Sequence, residues 1–415
     1  METDERLRDY PFEPFRGELP DEVLRMVRTD PVSRVRLPDG RPAWLVLGYD
    51  EVCTVLTDPR FARRVEPSPV EAAPPAVAGP VTAPPSVVDP VTGSGCPVAH
   101  RVTRKLSMDG AAHASLRRVA SRAFGPRQIE RYRPRVQQIT DELLDAMVAR
   151  GRPADLIGGL VAPLPVLVIC EMLGVPAGDR ERFNGWTAAM FSVTAYGSDD
   201  AAAAEGELHA YLSGRLAAKR AEPGDDLLSA WLAVQAEEEL SDPEILDLAI
   251  GVLLGGREIN STSAGLRALF LHPEQLAKLR ADPTRLPAAV TEILRFTTHS
   301  SMFLVQTATE DVELAGHRVR AGDAVMTLPS AANRDPDHFP DPDLFDLDRS
   351  PNPHLTLGYG AHFCLGAALG RLEMEVALGT LLRRFPGLRP AVPIDELPWR
   401  NERFNSGLLE FPVTW

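Results

Sequence analysis

Cysteine is scarce in this chain: four residues in 415, at Cys53, Cys96, Cys170 and Cys364. None forms a C-x-x-C pair, which argues against a zinc ribbon or a thioredoxin-like motif. Four are also too few to staple a chain of this length, so no disulfide scaffold is expected and a reducing cytoplasm is the natural setting. Lysine is scarcer still, with only Lys105, Lys219 and Lys278. The basic side chains are almost all arginine, which reads as a GC-rich coding bias rather than as chemistry. Aromatic residues make up 6% of the chain, so alanine, leucine and valine must fill most of the core. Long apolar runs are missing too. The longest, Leu156 to Cys170, is short of a membrane span, contains Pro163 and Pro165 and stops at Glu171; it reads as a buried core helix. The first residues, METDERLRDYPFEPF, are charged at once and have no apolar centre, unlike a secretory signal. A net charge of −14 argues against nucleic acid and anionic membranes as partners.

What is present is a mainly α pattern with a minor β part, read as a single domain over 1–415. Residues 32–48 hold two β-prone runs around Pro38-Asp39-Gly40, a hairpin signature, and a short helix is expected from Tyr49 to Thr57. Residues 66–99 are rich in Pro, Ala, Val and Ser without amphipathic period; this is a Pro/Ala-rich loop or insert, either a solvated linker or a lid. Helical periodicity runs from about Ala112 to Pro283, punctuated by Pro and Gly. Short strands and turns begin at Phe303. A last long helix is expected from Leu365 to about Phe385, followed by a strand-like tail.

Residues 357–366 read LGYGAHFCLG. Small residues let backbone approach a bulky ligand closely. A cysteine placed where a helix begins faces unsatisfied N–H groups and the positive end of the dipole, which favour the metal-binding thiolate. A structural cysteine in a glycine-rich turn is the competing reading from this pattern alone. The segment resembles the haem-binding loop of the cytochrome P450 family, F-G-x-G-x-H-x-C-x-G, with Leu357 in place of the Phe. That resemblance implies Cys364 as the iron ligand, haem b (iron protoporphyrin IX) as cofactor, and Leu357, Gly358, His362 and Gly366 as residues about it. Glu292-Ile293-Leu294-Arg295 resembles the family's E-x-x-R pair, whose i,i+3 spacing permits a local ion pair. His113 and Arg117, at i,i+4, match an H-x-x-x-R pair that contacts haem propionates in the family. The family fold implied is a triangular, mainly α single domain with minor β sheets.

Ser241-Asp242-Pro243-Glu244 starts a long helix with a capping box. Continued to His272-Pro273 it would span ~45 Å, enough to cross the molecule. Gly255-Gly256 weaken it midway, where a cofactor could press close or the helix could bulge. The family usually reads A/G-G-x-E/D-T here, and the threonine orders water for proton delivery. This chain reads Gly255-Gly256-Arg257-Glu258-Ile259-Asn260, so the acid is kept as Glu258 and the alcohol is lost at Ile259. Glu258, Asn260 or substrate hydroxyls are left to organise water. Ile259 either shapes the pocket of an ordinary hydroxylase or marks altered chemistry such as oxidative coupling, ring closure or desaturation. Ser261, Thr262 and Ser263 are expected to pack the helix.

Two further departures concern charge. Gln306 stands where many bacterial relatives carry an arginine for a propionate, and glutamine brings no charge. Leu344 stands where an arginine often joins the E-x-x-R pair, with Arg334 and Arg349 as candidates to compensate. Residues 101–135 hold ten basic side chains against Asp109 and Glu130, a patch toward which an acidic ferredoxin would be steered. No flavin or nicotinamide fingerprint is found, so electrons are expected from a ferredoxin and a ferredoxin reductase. By resemblance, substrate walls come from 66–100, about 178–200, Gly251–Ile259, Thr297–Val305 and Phe404-Asn405. The expected activity is O2-dependent oxidation of a small-molecule substrate. Natural-product tailoring is the leading role and a non-catalytic haem-binding helper the remaining rival.

Overall fold

The computed structural model describes residues 7–10, 12, 17–37, 40–63, 109–191, 198–256, 260–297, 304–400 and 407–415. The 66–99 segment, together with Arg101, Arg104, Lys105, Glu258, Ile259, Phe404 and Asn405, lies outside the described residues.

Helices dominate. In chain order they are α1 (Asp21–Thr29), α2 (Tyr49–Thr57), α3 (Ala111–Ala123), α4 (Pro126–Glu130), α5 (Arg133–Arg150), α6 (Pro163–Met172), α7 (Arg180–Phe191) and α8 (Ser198–Ala221). There follow α9 (Leu227–Val234), α10 (Asp242–Gly255), α11 (Asn260–Leu271), α12 (Pro273–Ala281), α13 (Leu286–Phe296), α14 (Pro329–Ala332) and α15 (Ala367–Arg384). The main core gathers α10, α11, α13 and α15 with α5 and α6, and leucine, isoleucine and valine supply most of it. Among the described residues no helix is long and apolar enough to cross a membrane.

The β part is a sheet of β1 (Arg8–Asp9), β2 (Val32–Arg36), β3 (Pro42–Val46), β4 (Phe61–Ala62), β6 (Leu304–Ala308) and β9 (Ala324–Thr327), in the order β1-β2-β3-β9-β6-β4. β2 and β3 form the expected hairpin, with Val32 opposite Val46 and Arg36 opposite Pro42. β4 closes the other edge against β6, pairing Phe61 with Ala308 and Ala62 with Thr307. Smaller pairings join β5 (Ala154–Asp155) to the tail strand Pro412–Thr414, β7 (Val312–Leu314) to β8 (His317–Val319), and Trp399–Arg400 to Gly407–Leu408.

The apolar run at Leu156 is buried, as its composition requires, but it is not one helix. A π-helical turn at Ile157–Val161 precedes α6, which starts at Pro163, a residue that suits a helix start because it has no N–H to donate. The long helix expected from Ser241 begins as read, with Ser241 and Glu244 forming a reciprocal capping box. Its described parts are α10 and α11. α10 ends at Gly255, and Gly256 caps it, its N–H bonded to the Val252 carbonyl.

Candidate active site

The loop before α15 is built by its glycines. Gly358 and Gly360 take φ values of +76° and +72°, which side-chain-bearing residues rarely adopt. At Gly360 an added Cβ would also meet Thr57 Cγ2 at 2.8 Å and the Leu56 carbonyl at 3.1 Å, so the loop lies directly on α2. Backbone bonds from Gly358 N–H to Leu355 O (2.8 Å) and from Cys364 N–H to Leu357 O (2.7 Å) close it. Cys364 is reduced and exposed three residues before α15 starts. Arg117 of α3 donates to the Phe363 carbonyl, and its guanidinium interacts electrostatically with Cys364. A positive group beside the sulfur favours its charged, metal-binding form.

A cavity runs past this cysteine. One wall is α15 and the loop before it, with Leu357, Cys364, Gly366, Gly370, Glu373 and Ala377. The facing wall is α10, with Gly251, Val252, Gly255 and Gly256, continued by Ser261 and Thr262 of α11. Leu164, Pro165 and Ile169 of α6 close one side, and His113 and Arg117 of α3 another. An added Cβ at Gly255, Gly366 or Gly370 would meet nothing within 4 Å. Small residues on opposed walls therefore leave room for a flat, bulky group.

At the α3 corner, the His113 and His362 rings stack with centroids 4.1 Å apart. A His362 ring nitrogen lies 2.7 Å from Asp109 Oδ1. His113 is buried, and that burial, with help from the charges of His362 and Arg117, pushes its pKa down to about 4. It is therefore a neutral donor at physiological pH.

The E-x-x-R pair is a buried ion cluster rather than a solvated helix pair. Arg295 and Glu292 are both almost wholly buried and bond through two parallel contacts of 2.8 and 2.7 Å. Arg295 also donates to the carbonyls of Asn333, Pro342 and Leu344. Arg349 Nε lies 3.4 Å from Glu292 Oε1, while Arg334 caps the Phe296 carbonyl and pairs with Asp343. Of the two arginines considered, Arg349 is the one that joins the cluster. Leu344 itself is 53% exposed and contributes only its carbonyl.

Several assigned residues are placed away from the cavity. Gln306 is buried, but its Nε2 donates to the Val55 carbonyl at 3.0 Å and its Oε1 meets no donor. Asn260 is packed on the tail: a Cβ added to Gly407 would lie 2.1 Å from Asn260 Oδ1. Thr262, expected only to pack, instead lines the cavity beside Ser261.

Glu373 is a residue that sequence reasoning passed over. It lines the cavity, its Oε1 has no partner, and burial pushes its pKa up to about 8. The available signal was periodicity: Gly366, Gly370, Glu373 and Ala377 share one helix face, so an acid there had to point inward with the small residues.

The basic stretch is largely neutralised by tertiary contacts. Arg118 and Arg122 share Glu238, Arg131 pairs with Asp225, Arg133 with Glu130 and Glu375, and Arg135 with Glu171. Arg117 is turned toward the cavity. Among the described members, Arg127 alone is exposed without an ion pair.

A family model described as Cytochrome P450 matches residues 208–392. Nocardicin C N-oxygenase of Nocardia uniformis subsp. tsuyamanensis is 42% identical over 98% of both chains. Mycinamicin IV hydroxylase/epoxidase of Micromonospora griseorubida is 39% identical, again over 98% of both. Among solved structures, the putative thioether synthase SgvP of the griseoviridin tailoring step superposes with a TM-score of 0.83 at 39% identity, covering 99% of this chain and 100% of that one. The LnmA hydroxylase of the leinamycin pathway of Streptomyces atroolivaceus gives 0.85 at 37% identity, with the same coverage.

Proposed function

This chain belongs to the cytochrome P450 family, and from that premise we propose that it tailors a small natural product by monooxygenation. It is a haem-dependent oxidoreductase by membership. The finer assignments are that the haem is haem b, that electrons arrive from a ferredoxin and its reductase, and that the substrate is a secondary metabolite. The relatives above support the last of these: they are a nocardicin C N-oxygenase, a mycinamicin IV hydroxylase/epoxidase, a putative thioether synthase of the griseoviridin tailoring step and a hydroxylase of the leinamycin biosynthetic pathway.

The observation that carries the reading is the reduced Cys364 facing a glycine-walled cavity. Among the described residues no group of three or more His, Cys, Asp or Glu side chains converges on a metal position. A lone sulfur donor suits a metal that brings its own equatorial ring of donors, and the open walls at Gly255, Gly366 and Gly370 suit that ring. Cys364 would hold the iron, His113, Arg117 and His362 the propionates, and Leu357, Gly358, Gly366 and Gly255 would flank the ring. When bound, the haem supplies dioxygen activation, and the thiolate's electron density favours O–O cleavage.

The chain's own residues then have distinct tasks. Arg117 lies beside the sulfur, where its positive charge favours the thiolate. By the family resemblance, Glu258 would supply the acid of the oxygen-activation motif, and Ile259, an alkyl side chain, has no proton to give. Asn260 is committed toward Gly407, so the hydroxyls of Ser261 and Thr262 on the cavity wall are better placed to order water. A second reading, oxidative coupling or ring closure without oxygen insertion, is favoured by the Ile259 substitution, because such steps need less proton delivery. Turnover with a ferredoxin system under labelled dioxygen tests both: label in the product supports monooxygenation, and an unlabelled oxidised product replaces it with the second reading.

A further inference from the structure

Gln306 stands where many bacterial relatives carry an arginine, and an arginine, Arg63, follows the neighbouring strand of the sheet. β4 pairs antiparallel with β6, Phe61 opposite Ala308 and Ala62 opposite Thr307. Continued by one residue, that register sets Arg63 opposite Gln306. Residues opposite each other in an antiparallel pair project from the same face of the sheet, so an arginine at 63 can serve the region that an arginine at 306 would have served.

The surroundings of Arg63 point the same way. Its backbone N–H donates to Asp109 Oδ2 at 2.6 Å, and Asp109 Oδ1 lies 2.7 Å from the ring of His362. The Arg63 charge is felt by His113, whose pKa it helps to lower, and by Asp109. The side chain is partly buried and loses hydration, yet it makes no hydrogen bond or ion pair with any described residue. A guanidinium withdrawn from water is costly unless an anion makes a direct contact with it, and Asp109 interacts with it only through its charge. The corner thus gathers Arg63, Arg117, His113 and His362 around a single carboxylate, Asp109. Two propionates would bring further negative charge to this set, and arginine is well suited to bind carboxylates.

We propose that Arg63 is a haem-propionate contact that replaces the arginine missing at position 306. This rests on reading the His113–Arg117–His362 corner as the propionate end of the cavity.

The test is the rate of haem transfer from the ferric holoprotein to excess apomyoglobin, compared across wild type, Arg63→Gln, Arg63→Lys, Arg117→Gln and the double variant Arg63→Gln with Gln306→Arg. Arg63→Gln is expected to speed haem loss about tenfold, the effect of one charge-assisted hydrogen bond. Arg63→Lys should recover part of the loss, and adding Gln306→Arg should recover most of it. The propionate bending band in the resonance Raman spectrum should shift in Arg63→Gln. If Arg63→Gln releases haem within twofold of wild type while Arg117→Gln releases it faster, Arg63 is not a propionate contact although the corner stands. If neither variant accelerates release, the corner reading fails and the proposal with it. Loss of substrate affinity alone in Arg63→Gln would assign the residue to substrate and overturn the proposal too.

Discussion

Arg349 stands 3.4 Å from Glu292, inside a cluster where Glu292 and Arg295 are both almost wholly buried. Position 344, where a relative's arginine would complete this cluster, holds an exposed leucine. The charge has been supplied from five residues further along the same loop. Arg349 also donates to the carbonyls of Pro340, Asp341 and Leu344, so it ties the loop to α13. Arg349→Ala is expected to destabilise the holoprotein by about 2–4 kcal/mol, as removal of a partner from a buried charge does. The surface pair Arg318–Asp311 serves as control, since exposed pairs contribute little. Equal denaturation midpoints for Arg349→Ala and wild type would show that Arg349 is a bystander.

Glu373 should make stability depend on pH. Burial holds its carboxyl at about 8 in the folded chain, against 4.5 as the ordinary value. Between those values the folded state keeps a proton that the unfolded chain has lost. The stability linked to that proton is fully present below about 4.5, falls as pH rises, and is gone above about 8. Glu373→Gln cannot titrate, so its stability relative to wild type should climb from pH 5 to 8, by at most about 1.4 kcal/mol per pH unit. Urea unfolding at four pH values measures this. Parallel wild-type and variant curves would mean that Glu373 has an ordinary pKa.

Cys364→Ala should abolish the thiolate signature in the spectrum of the reduced carbon monoxide complex. Haem could still enter, because the walls at Gly255, Gly366 and Gly370 are untouched. An unchanged spectrum in the variant would remove Cys364 from the iron.

Proton delivery should depend on the cavity wall and not on Asn260. Thr262→Val is expected to lower the yield of product per electron pair severalfold, and Ile259→Thr to alter that yield by adding a donor. Asn260→Ala should leave it within twofold, because the Asn260 carboxamide packs on Gly407. The ratio of product formed to reduced nicotinamide consumed reports all three. A severalfold loss in Asn260→Ala with none in Thr262→Val would reverse the assignment.

Redox-partner steering should be modest and centred on Arg127. The neighbouring arginines are held by Glu238, Asp225, Glu130, Glu375 and Glu171, so Arg127→Glu should raise the KM for an acidic ferredoxin at low salt by about threefold to tenfold, with a smaller effect at high salt. A KM insensitive to this reversal would place docking elsewhere.

Much of the site could be read in the sequence because its signals are local. The glycines around Cys364 announce a turn before a helix. Ser241 and Glu244 form the capping box their spacing implies, and the two strands around Pro38-Asp39-Gly40 pair as a hairpin. In each case the residues that interact are near neighbours in the chain, and backbone geometry alone determines what they can do. The mainly α fold, the cysteine with its loop, and the positions that depart from the family pattern all follow from such local signals.

How those departures are compensated was decided by tertiary structure. Arg349 and Leu344, Arg63 and Gln306, and Arg118 and Glu238 are brought together by packing, and no local pattern names such partners. The same holds for burial: whether Glu373 meets water or a cavity depends on α10 and α6 closing over α15. Charge at a distance and exposure to solvent are properties of the assembled surface, so they appear only once the helices are in place.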